Sequence, residues 1–336
     1  MLEIINRTPF TAELHTALDK DCFDYVVIVI KAACRIIDQE VLQLADEKAK
    51  IHAANIHFGN PQTTSIQYAA DVVRAKSKTD IVVNGHAYAP ESHCSAFDVG
   101  LRIDKFQIVR RIFGNRYWES SVFGWKISSP ETVDVMPLTF EHAFGGSYFD
   151  SNQQLADCFA ANPLGKGYIS ACEKAPAEGQ ALPNIELPEQ FIEKWTDKPR
   201  PASLGFIANN WQPRNAYQGT YDEAWGKNRA PLLPEDFDER FFNAAPADLQ
   251  VPYLRGGEHI NLARLASCGN LSFQLPIWKL NVCVIAKGRA VDLVPVLDTL
   301  VIEPDQRQAL LTWRISVKCF NQFLYLDKII VSVKDV

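Results

Sequence analysis

Thirteen of the 19 prolines in this 336-residue chain fall between Pro130 and Pro252. Proline has no amide hydrogen to give to a ladder, so a stretch this rich in it cannot supply the central strands of a sheet. The same stretch carries Trp195, Trp211, Trp225, Phe237, Phe241 and Phe242, more aromatic surface than a solvated linker leaves in water. It is expected to be an ordered, loop-rich insertion over residues 130–255, between one β part at 1–129 and another at 256–336 of a single domain. Inside it, Thr220 and Glu223 have capping-box spacing ahead of Trp225, with Pro231 as the stop. Pro188 is placed to open a second short helix whose inner face would be Phe191, Ile192 and Trp195.

The flanks read as sheet. Residues 25–37, YVVIVIKAACRII, are β-branched and suit a strand buried on both faces. Phe97, Val99, Leu101 and Ile103 alternate with polar or small residues, and a second run at 106–113 completes a hairpin. The strongest hairpin signal is residues 297–302, then Glu303-Pro304-Asp305, then Ala309, Leu311, Trp313, Ile315 and Val317 at period two. Ile329, Val331 and Val333 are expected to add an edge strand, and residues 40–50 fit either a short helix or a turn-bounded strand. The fold class is therefore mainly β, with sandwich-like antiparallel sheets and a long insertion carrying a few short helices. No internal repeat stands out.

Charge narrows the function. Lys and Arg total 34 against 40 Asp and Glu, a net charge of −6 without a basic run, which argues against nucleic acid and anionic membrane as partners. The start, MLEIINRTPF, lacks the flank and apolar stretch of a signal peptide, and no run approaches the roughly 20 residues that span a bilayer. A cytoplasmic location is expected, with the eight cysteines as reduced thiols.

Catalytic signatures are sparse. Gly145-Gly146-Ser147-Tyr148 has the wrong spacing for a nucleophile elbow, and Gly165-Lys166 lacks the rest of a phosphate loop. His86, His93 and Cys94 are too few to hold a metal. Glu141 and His142, read as neighbours on a strand, would point to opposite faces. Cys94 with His86 or His142 is a thin case for a nucleophile. No cofactor is expected. The run from Gly219 to Pro246 interleaves aromatic residues and arginine with six carboxylates, the composition of an interface; Phe237, Phe241 and Phe242 within it are expected to plug the core.

Several strings occur together: NGHAYAP at 84–90, MPLTFEHAFGG at 136–146, NPLGKGY at 162–168, LPNIELP at 182–188, NWQPR at 210–214, YLRGGE at 253–258, and LDTLVIEPD at 297–305 followed by LTWR at 311–314. With the 219–246 run they make the chain resemble the DUF2169 family, a domain of unknown function found in bacterial type VI secretion gene clusters. The resemblance implies a non-enzymatic adaptor or chaperone. Its partners would be a cognate toxic effector and the valine-glycine-repeat (VgrG) spike or its PAAR-like tip, and it would stay in the producing cell. Lacking the pentapeptide repeats of some relatives, it would act as a stand-alone adaptor. The resemblance carries no catalytic residues. The interface is expected on the insertion, at Trp211, Tyr217, Tyr221, Trp225 and Arg229. The alternatives are an enzyme with a pocket around Glu141, His142 and Cys94, and a structural piece of the spike itself.

Overall fold

The computed structural model describes residues 3–319 and 326–334. Its centre is the strand Asp24–Arg35, where Val26 to Cys34 are all buried. This strand lies between Thr11–Leu18 and Gln308–Cys319, antiparallel to both, so its backbone is paired on both edges, while its side chains pack into the apolar core. The predicted hairpin at the C-terminal end forms from Val296–Glu303 and Gln308–Cys319. Its turn is a short 3-10 segment, Pro304–Gln306, closed by Arg307 in the left-handed region at φ 52°. Thr79–Val83 then adds in parallel, and Gln250–Val251 closes the far edge of this seven-stranded sheet.

A second sheet runs Ile185–Glu186, Phe106–Phe113, Ala96–Ile103, His259–Ala266, Gly269–Gln274 and Glu40–Val41. The hairpin read at 97–113 forms with Phe97, Val99, Leu101 and Ile103 all buried, as their alternation requires. A third sheet orders Glu3–Asn6, Leu326–Lys334, Lys279–Ala286 and Arg289–Leu293. Side chains from all three sheets enter one continuous apolar core. The chain is mainly β, and among the described residues the two α-helices are the short segments Arg214–Tyr217 and Glu223–Asn228.

Three expectations change in detail. The segment around Ile329 and Val331 is an inner strand, because Glu3–Asn6 pairs with it in parallel and covers what would have been the sheet edge. Residues 40–50 resolve as the two-residue strands Glu40–Val41 and Gln43–Leu44. No helix follows Pro188: residues 187–199 are short turns and irregular backbone, with Ile192 buried and Phe191 exposed, because the backbone amide of Ile192 is claimed by the Glu186 carboxylate instead of a helical carbonyl.

The proline-rich stretch contributes only short strands, at sheet edges or in isolated pairs. Its Phe144, Ile169, Leu182 and Ile192 build a second, smaller core with Trp118 of the preceding β part. All eight cysteines are free thiols, and burial pushes Cys34 up to about 12. Among the described residues no helix is long and apolar enough to cross a membrane.

Candidate partner-binding surface

The segment from Gly219 to Asp236 folds back on itself. Asp222 caps the helix Glu223–Asn228, its carboxylate accepting the Trp225 amide at 2.8 Å. The cap therefore sits two residues beyond Thr220, because Thr220 is engaged elsewhere. Its amide and hydroxyl donate to the two oxygens of Asp236 at 2.9 and 2.8 Å, closing the segment into a loop. Those bonds hold the Asp236 carboxyl below the usual carboxylate range. Pro231 lies just past the helix end, as its position in sequence suggested.

Trp225 packs edge to face against Tyr221 at 4.7 Å, and its indole donates to the Leu232 carbonyl at 2.9 Å. Arg229 acts as a clamp. Its guanidinium donates to the Leu233 carbonyl within the loop and to the Lys20 carbonyl in the turn that joins the first two strands of the large sheet. Lys20 answers with a bond from Nζ to the Glu235 carbonyl at 3.1 Å. The two segments are thus held as one surface. Tyr221 is 49% exposed, and Leu18 and Phe23 beside the clamped turn are exposed too. An open groove of about 370 Å³ lies along Trp225, Arg229 and Pro234. Asp21, Asp222, Glu223, Glu235 and Asp236 are exposed on this surface against Lys20, Lys227 and the Arg229 guanidinium, so the surface is acidic as well as aromatic.

The five residues singled out from the sequence do not all belong to this surface. Tyr221, Trp225 and Arg229 are brought together. Tyr217 is half-buried beneath the Arg240 guanidinium at 4.4 Å. Trp211 is a correction: only 6% exposed, it meets Phe140 edge to face at 5.4 Å inside the main core, so its large apolar area is already spent on the fold. Phe237 is buried as expected, whereas Phe241 and Phe242 are half-buried. The turn at residues 18–23 was missed. Its signal is an Asx-type turn, in which Asp19 accepts the amides of Asp21 and Phe23, with an exposed aromatic just ahead of a buried run.

The groups considered for catalysis have separate partners. Glu141 and His142 lie on a 3-10 turn, Phe140–His142, and not on a strand. Glu141 accepts the Ser65 amide at 2.7 Å and the Ser65 hydroxyl; burial pushes its carboxyl up, but the bonds from Ser65 and Thr139 outweigh this and hold it below the usual value. His142 Nδ1 meets the Asn184 side chain at 3.2 Å, and burial lowers its pKa. Cys94 points its thiol at the Ala96 carbonyl. His86 and Tyr88 share the Asp305 carboxylate at 2.7 and 2.8 Å, and His93 occupies a left-handed turn position at φ 63°. Among the described residues no three His, Cys, Asp or Glu side chains gather as metal ligands.

The strings that carry the resemblance build the frame instead. Asn162 of NPLGKGY donates to the carbonyls of Phe140 and Phe144 in MPLTFEHAFGG at 2.8 and 3.0 Å. Phe144 and Gly145 pair in parallel with Lys166 and Gly167. Asn184 of LPNIELP joins His142 to the Phe113 carbonyl, and Glu186 of the same string forms a buried pair with Arg116. A family model described as an uncharacterized protein conserved in bacteria, DUF2169, matches residues 22–314. The chain belongs to the DUF2169 family. Neither a curated protein nor a solved structure matches this DUF2169 chain.

Proposed function

We propose that this DUF2169 member is a non-enzymatic adaptor of a type VI secretion system. It would hold a toxic effector in the producing cell and present it to the valine-glycine-repeat spike or its PAAR-like tip. The observation that carries this reading is the Arg229 clamp, which joins two loops into one preformed face of exposed aromatic, aliphatic and acidic side chains. Aromatic anchors within a polar, charged rim suit a reversible interface better than an obligate apolar one. The reading is further supported by Glu141, His142 and Cys94, each engaged with a different structural partner. An acidic rim favours a partner segment carrying lysine or arginine, and such binding weakens as salt screens it.

The test is co-expression with the proteins encoded beside it, followed by size-exclusion chromatography with light scattering. A stable complex that also retains the spike or tip protein is expected, weakened by Tyr221→Ala and by added salt. A chain that runs alone with each neighbour, or a complex indifferent to Tyr221→Ala, overturns the assignment of this face.

A further inference from the structure

A second feature stands apart from the acidic face. Residues 118–127 form a β-hairpin, Trp118–Ser121 against Gly124–Ile127, with Ser121 opposite Gly124, so that Val122 and Phe123 alone make the turn. Two-residue hairpin turns favour Asn, Asp and Gly. Here the turn carries two large apolar side chains, 96% and 101% exposed. The tip stands clear of the rest of the chain, since a Cβ built on Gly124 would meet nothing within 4 Å.

The base, by contrast, is fixed. Trp118 is buried in the second core, with Trp125 and Ile127 packed against it. Glu119 and Lys126 pair across the strands at 3.0 Å, and the Ser120 amide donates to Glu178 at 2.7 Å. Trp118 exchanges backbone bonds with residues 179 and 180, tying the hairpin to a loop distant in sequence. A rigid stem holding an unpaired apolar tip in water is preorganised to insert, because little conformational freedom remains to be lost on binding.

We propose that the Val122–Phe123 tip is an anchor that seats in an apolar pocket on a different, folded protein whose rim carries cationic or hydrogen-bond-donating groups. The charges beside the tip select this occupant. Of the three charged groups bonded to or across the hairpin, Glu119 is neutralised by Lys126, and exposed Glu178 keeps its negative charge, which anionic lipid headgroups would repel and a cationic rim would attract. An aromatic side chain buries roughly 150–250 Å², well short of the roughly 800 Å² per partner of a standard interface, so the tip is a focal contact within a larger one. It does not depend on the adaptor reading or on the Arg229 face.

Photoreactive benzoylphenylalanine incorporated in place of Phe123 in the full chain, in its own bacterium, tests this. The same probe in place of Val294, which is 73% exposed elsewhere, is the control. One discrete adduct specific to the Phe123 position is expected, whose partner is identified by mass spectrometry and purified. Phe123→Ser should then weaken its binding about 30-fold or more, as loss of a central aromatic anchor does, without moving the melting temperature. No adduct, a lipid adduct, an adduct with a second copy of this chain, one shared with the control, or a purified partner that binds the Phe123→Ser chain equally well overturns the proposal.

Discussion

Lys31 Nζ lies 2.7 Å from Asp71 Oδ2 within the packing of the central strand, and the same carboxylate oxygen accepts the His52 amide at 2.8 Å. The pair explains how a lysine sits inside the buried run Val26 to Cys34 with only 3% of its side chain exposed. Removing one partner of a buried pair strands the other charge. Lys31→Met is expected to lower unfolding stability by about 3–5 kcal/mol in urea titrations. Adding Asp71→Asn should restore a good part of it, since the amide oxygen can still accept from His52. A loss below about 1 kcal/mol would mean the carboxylate is hydrated.

Gly145 has φ 153°, and a Cβ there would run into the Asn162 carbonyl, the point where the strings MPLTFEHAFGG and NPLGKGY meet. Gly145→Ala should destabilise by about 3 kcal/mol or more, because backbone must move to admit one methyl. Gly226, in the helix Glu223–Asn228, has open space around it. Gly226→Ala should be neutral or stabilise by up to about 1 kcal/mol. Thermal melts of the two variants separate a packing demand from mere tolerance.

Burial lowers the His142 pKa below its ordinary value of about 6.5. Above that pH the imidazole is neutral in folded and unfolded chains alike, and its contribution is intact. As pH falls toward the folded value the unfolded chain takes up the proton first, so stability is lost. Wild type should therefore lose more stability between pH 7 and 5 than His142→Asn, as measured by denaturant titration at both pH values. Equal losses would place the imidazole in water.

Arg229→Ala should free the turn at residues 18–23 and the loop at 229–236 together, since one guanidinium bonds both. Faster amide exchange in those two segments, with little change in the global melting temperature, is the expected result. Exchange confined to one of them would show that the segments are held by other contacts.

The large elements were readable because their signals are local. The alternation through Phe97 to Ile103, the uninterrupted run at Val26 to Ile30 and the Glu303-Pro304-Asp305 turn each encode their own conformation within a few residues. Proline density likewise foretold that residues 130–252 would hold only short or edge strands. Misreadings arose where a distant partner outbid the local preference. Thr220 looks like a helix cap until Asp236 claims it, Pro188 looks like a helix start until Glu186 takes the Ile192 amide, and Ile329 looks like an edge until Glu3–Asn6 covers it.

The surface divides the same way. Composition marks the 219–246 run as a candidate interface, and Tyr221, Trp225 and Arg229 lie together in the fold. It could not tell that Trp211 is consumed by Phe140, that Lys20 belongs to the Arg229 clamp, or that Val122 and Phe123 are held out in water. Residue type determined the long strands at 24–35, 96–113 and 296–319 and how much charge the chain carries. Only the tertiary structure decided which aromatic surfaces were already buried, because burial depends on contacts with residues far away in sequence.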